Sequence, residues 1–168
     1  MAIAMAYKLR SQKYPEHALA IPVTFQQSQV RPVIPLALHC IGNGLIHALM
    51  EMREIAKKLV AFCEKADWAG AHNTLYAPDA VSLEPYSTPE FEKETKGLDG
   101  IRKKSRKFDS MVDQIHSIET SEPLIAGNSI AFTLAMDITM KGQGRMKAPE
   151  LCVYQVKDGK IISEQFFV

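Results

Sequence analysis

An α+β fold, with helices packed on one face of an antiparallel sheet, follows from three observations in this sequence. Residues 52–66 carry apolar side chains at helical spacing. Residues 112–168 read as strand after strand, broken at Gly127-Asn128, Gly142-Gln-Gly144 and Asp158-Gly159. Two more short helices and a lone strand precede that meander, so helices must cover one face of the sheet.

The chain of 168 residues is long enough for one domain with a substantial core, or one domain with an extension. A net charge of +1 gives no support for a nucleic-acid or acidic-membrane partner. No run of 18 apolar residues is present, so no membrane span is expected. The apolar start is followed by Lys8, Arg10 and Lys13, the wrong order for a secretory signal. Cys40, Cys63 and Cys152 lack metal or redox spacing, which implies reduced thiols, a cytoplasmic location and no metal site.

Residues 1–48 differ from the rest. They hold four prolines, three of the five histidines and no sustained period, and read as a loosely structured extension before a domain at 49–168. A native start near Met50 or Met52 is the other reading. His17, His39 and His47 have no ligand-like spacing.

The first helix places Ile55, Leu59, Phe62 and Cys63 on one stripe. Asp67 suits the N-cap of a second helix, with Trp68, Ala71 and Leu75 on one face and Pro78 beyond its end. Residues 79–84 form a strand that stops at Pro85. Residues 86–96 are polar and loop-like. Asp99 suits the cap of a third helix, whose apolar positions are Ile101, Ser105 and Phe108. The basic run of Arg102, Lys103, Lys104, Arg106 and Lys107 reads as a solvated face, because no aromatic platform for RNA accompanies it.

The turns predict registers. Asp158-Gly159 suits a type I′ turn, which pairs Lys157 with Lys160. Leu151, Val153, Glu164 and Phe166 then share a face, and Tyr154 lies on the other. Pairing Ala126 with Ser129 sets His116 opposite Thr139 and makes Asp137 its diagonal neighbour. A three-residue loop at 142–144 pairs Lys141 with Arg145 and brings Asp137 to the face of Glu164. His116, Asp137 and Glu164 thus converge, unless a bulge moves one of them. The strand 129–141 has one bulky apolar face, suited to helices or a second subunit. Its other face, with Ala131, Thr133 and Ala135, is small and suits a cavity wall.

Residues 75–81 (LYAPDAV), 97–101 (GLDGI) and 153–161 (VYQVKDGKI), in this order and spacing, resemble the SnoaL-like branch of the nuclear transport factor 2-like superfamily. The resemblance spans about Met50 to Val168. It implies a cone-shaped sheet wrapped around three helices, a central pocket, and a homodimer through the outer sheet face. It also implies a small apolar ligand or substrate. The superfamily holds polyketide cyclases, ketosteroid-isomerase-like enzymes, dehydratases and pure binders, so the fold implies a pocket without naming a reaction.

Glu164 matches the superfamily's cavity-facing position on the last strand, and Glu84 is placed at the pocket mouth. Trp68, Leu151, Val153 and Phe166 are expected to line the pocket. In the catalytic reading, burial raises the pKa of Glu164, which moves a proton next to a carbonyl, with His116 as partner and Asp137 orienting it. That chemistry needs no metal or cofactor. The alternative is a non-catalytic dimeric pocket protein, in which Glu164 forms a structural ion pair with Arg145 or Lys147.

Overall fold

The computed structural model describes the backbone from Ile41 to Val168 and the side chains from Leu49 onward. The extension expected over residues 1–40 lies outside the described residues. Helix α1, Ile41–Glu64, crosses the expected boundary at residue 48. It buries Met52, Ile55, Ala56, Leu59 and Cys63, the stripe its spacing predicts. Ala66 then takes a left-handed φ of 53° and turns the chain. Asp67 caps α2, Trp68–Leu75, by accepting a 2.8 Å bond from the Gly70 amide. Asp67→Ala should cost about 1 kcal/mol in urea unfolding. Gly70 is needed at that cap, since a Cβ there would lie 2.2 Å from the Asp67 carboxylate.

Helix α3, Leu98–Met111, starts from Gly97, whose φ of 78° favours glycine. Asp99 is not its cap. It sits in the first turn and binds Arg102 at 3.2 Å. Ile101, Ser105 and Phe108 are buried as expected, and Lys104 is buried between them.

One curved sheet holds β1 (Tyr76–Leu83), β2 (Glu94–Lys96), β3 (Val112–Thr120), β4 (Leu124–Ala126), β5 (Ser129–Met140), β6 (Gly144–Lys157) and β7 (Lys160–Phe167). Its order is β2-β1-β7-β6-β5-β3, with β4 also on β5. All neighbours are antiparallel except β1 and β7, which run parallel. The bulky side of β5, Ile130 through Met140 in alternation, faces the helices and forms the core.

Two turns have the predicted pairs, Ala126 with Ser129 and Lys157 with Lys160. Asp158 and Gly159 take φ of 51° and 72°, as the type I′ turn requires. The loop after β5 pairs Met140 with Gly144 rather than Lys141 with Arg145. That changes partners by two residues and leaves the faces unchanged. Past the turn of the last hairpin, Val156 pairs with Ile161 but Gln155 pairs with Ser163. Ile162 is the extra residue of a β-bulge, and beyond it every β7 side chain changes face.

Candidate active site

The bulge sets the site. It turns Glu164 inward, opposite Tyr154 on β6 and beside Ser82 on β1. The Tyr76 hydroxyl donates to Glu164 Oε2. From α3, the Lys104 ammonium donates to the Ser82 hydroxyl and, at 2.9 Å, to Glu84 Oε1. Its nitrogen lies 3.9 Å from Glu164 Oε1, too far for a hydrogen bond. An ammonium has three donors, so one remains directed by charge alone. Lys104 also stands 5.4 Å from the centroid of the Phe166 ring, a cation–π contact.

Around this cluster lies a cavity of about 20 Å³, room for a single water molecule. His72, Tyr76, Lys104, Glu150 and Glu164 give its polar wall, while Trp68, Leu59 and Leu134 give part of its apolar one. Glu150 accepts from the Cys152 thiol at 3.4 Å. The ring of His72 meets Tyr76 edge-on at 4.9 Å, and Tyr154 stacks on Phe132 at 5.6 Å.

Burial disfavours the Glu164 carboxylate. The Lys104 ammonium and the hydroxyls of Tyr76 and Ser82 favour it, and its pKa is lowered from the ordinary 4.5. This direction is opposite to the upward shift expected from burial alone. Burial and then the Glu164 charge push the Tyr76 phenol well above 10. Burial pushes the Cys63 thiol up to about 12, so it is inert.

His72 is held below 6.5, chiefly by burial, and is neutral at pH 7. Its folded pKa is depressed, so the stability it contributes is present above pH 6.5 and is lost as pH falls through the folded value. The melting temperature should fall between pH 7 and 5, and His72→Gln should flatten that fall.

The predicted convergence of His116, Asp137 and Glu164 is not found. Asp137 faces away from the helices, opposite Lys147, and Arg145 grips it with two 2.8 Å bonds. Those bonds hold its carboxyl below the usual range. His116 is exposed beside a β3 irregularity and meets Thr139 Oγ1 at 2.8 Å. Leu151 and Val153 also lie on the outer face, and Leu151 is 41% exposed, so neither lines the cavity. Glu84 does not stand at a mouth: it is buried behind Lys104, and among the described residues its second oxygen meets no partner. Phe166 packs inward beneath Tyr154 and Lys104. Trp68 borders the cavity as expected.

Several site residues escaped the sequence reading, His72 on the buried face of α2 and Ser82 on β1 among them. Lys104 was hidden in a basic run, although its place three after Ile101 and four before Phe108 puts it on the buried stripe. Glu150 is in phase with Cys152 and Tyr154, which was a usable signal. Tyr76 stands at a helix–strand junction, where no periodicity assigns a face.

Residues 50–168 match the family model of the SnoaL-like domain. A protein from Mesorhizobium loti named a SnoaL-like polyketide cyclase is 29% identical, with a TM-score of 0.63 over 68% of this chain and 97% of that one. A ketosteroid isomerase-like fold from Catenulispora acidiphila, solved with trimethylamine, is 16% identical, with a TM-score of 0.55 over 68% and 85%. An NTF2-like protein from Burkholderia pseudomallei is 12% identical, with a TM-score of 0.55 over 67% and 89%. No curated protein matches the chain. Among the described residues no helix is long and apolar enough to cross a membrane. The helices on a curved sheet and the match across residues 50–168 lead to one assignment: the chain belongs to the SnoaL-like domain family.

Proposed function

We propose that the protein is a cofactor-independent enzyme that moves a proton on a small, largely apolar carbonyl compound, as an isomerase, cyclase or dehydratase does. The observation that carries this reading is a buried Glu164 carboxyl that shares one cavity with the Lys104 ammonium. A substrate carbonyl oxygen takes the free Lys104 donor. Glu164 removes a proton from the adjacent carbon, and the C–H electron pair becomes an enolate whose charge Lys104 stabilises. Tyr76 holds the carboxylate in position through its other oxygen. Glu164 then returns the proton to another carbon, or the enolate attacks within the substrate.

The size of the cavity favours the second reading, a non-catalytic pocket protein. A substrate larger than water does not fit the cavity as it stands. Exchange of α-hydrogens for deuterium in a panel of ketones, followed by NMR, separates the two. Proton transfer requires exchange that Glu164→Gln abolishes. Absence of exchange with every ketone leaves only binding.

The same reading includes a homodimer through the outer sheet face. Leu151 and Phe167 are cross-strand neighbours there and stand 41% and 45% exposed, in the next row from Leu124 at 76%. The buried free thiols of Cys63 and Cys152 suit a reducing compartment such as the cytoplasm.

A further inference from the structure

A second cavity of about 200 Å³ lies between α2 and α3, and it shares Trp68, His72 and Ser105 with the wall of the buried one. These three side chains are the partition between the outer cleft and the Glu164 cavity. Arg102 and Arg106 stand in the cleft beyond them. Arg102 is fixed there by Asn73 Oδ1 at 2.7 Å and Asp99 at 3.2 Å. Arg106 has no ion pair or hydrogen bond among the described residues, so its guanidinium donors are free. Asp109 is the one acid of the lining, against two guanidinium groups. The Trp68 indole N–H is buried and, among the described residues, meets no acceptor within hydrogen-bonding geometry. Burial raises the Asp109 carboxyl and the Trp68 N–H beside it draws it partly back.

We propose that this cleft is the entrance to the Glu164 cavity and selects substrates that carry a carboxylate, held by Arg106 and Arg102 while the carbonyl end passes Trp68 and His72 toward Lys104. This rests on the proton-transfer reading for the fate of the carbonyl, but not for the binding of the acid. Two planar guanidinium forks match a carboxylate better than any neutral group. The substrate class becomes the oxo acids, apolar in the middle and anionic at one end.

Trp68 is the single tryptophan of the chain, so its fluorescence reads the cleft directly. The probes are 4-oxopentanoate and its methyl ester, titrated into the full chain at low and high salt. The acid should bind about tenfold more tightly than the ester, with a margin that shrinks as salt screens the arginines. Arg106→Gln, which removes no hydrogen bond or ion pair among the described residues, should erase most of that margin. Equal binding of acid and ester, an unchanged margin in Arg106→Gln, or no response to either probe would overturn the proposal. Deuterium exchange on the same probes keeps the two readings apart. Arg106-dependent binding of the acid without exchange leaves the cleft standing and defeats proton transfer. Equal exchange of acid and ester defeats the cleft and leaves proton transfer.

Discussion

Lys104→Met is expected to lower the unfolding free energy by about 3–5 kcal/mol at pH 7, measured by urea titration. The variant keeps the length and apolar stem of the side chain and removes only the ammonium. Glu84 and Glu164, both buried, are left without their shared cation. Without the cation, burial raises the Glu164 carboxyl above its unfolded value, so the variant should regain stability on acidification and lose it again as pH rises. The wild type should show no such recovery between pH 7 and 5. Adding Glu84→Gln to Lys104→Met should restore part of the loss, since one of the stranded charges is gone. A loss below about 1 kcal/mol would show that water reaches the cluster and screens it.

Glu164→Gln is expected to slow deuterium exchange at the substrate α-carbon by a factor of about 10²–10⁴. The amide keeps the shape of the carboxylate and still accepts from Tyr76, but it cannot take a proton. Lys104 keeps Glu84 and Ser82, so the fold should survive with a small change in melting temperature. Wild-type exchange should hold down to acid pH, because the Glu164 carboxylate persists until its pKa below 4.5 is reached. Tyr76→Phe should be milder, since it removes a positioning bond and not the base. Equal exchange in wild type and Glu164→Gln would remove Glu164 from the reaction.

The helices, the C-terminal meander and the two tight turns were legible in sequence, because hydrophobic period and turn chemistry are local; the parallel place of β1 beside β7 and the short strand β2 were not. The face of Glu164 was not. The Asp158-Gly159 turn specifies the first pairs of its hairpin, but Ile162, a β-branched residue with nothing to mark it, forms the bulge. One unpaired residue then moved Glu164 from the predicted company of Leu151 and Val153 to that of Tyr154 and Ser82. The expected run over residues 112–125 also divides, because residues 121–123 step out between β3 and β4. Irregularities on β3 separate His116 from its predicted place opposite Thr139, where Gln114 pairs instead. Lys104 shows a different limit: composition judged five cations together, while helical geometry buried one of them.

The position of β7, between β1 and β6, has a consequence for the order of events during synthesis. The sheet cannot be completed from its first strand onward. As the ribosome releases the chain, β1 waits with one edge open until β7 emerges and inserts beside it. Tyr76 meets Glu164 across 88 residues of sequence, so the polar cluster forms only at that last step. Before it, Lys104 and Tyr76 face a half-built interior that water still enters. A stalled nascent chain that ends before β7 should therefore bind chaperones through the exposed edges of β1 and β6, and release of the final hairpin should end that binding.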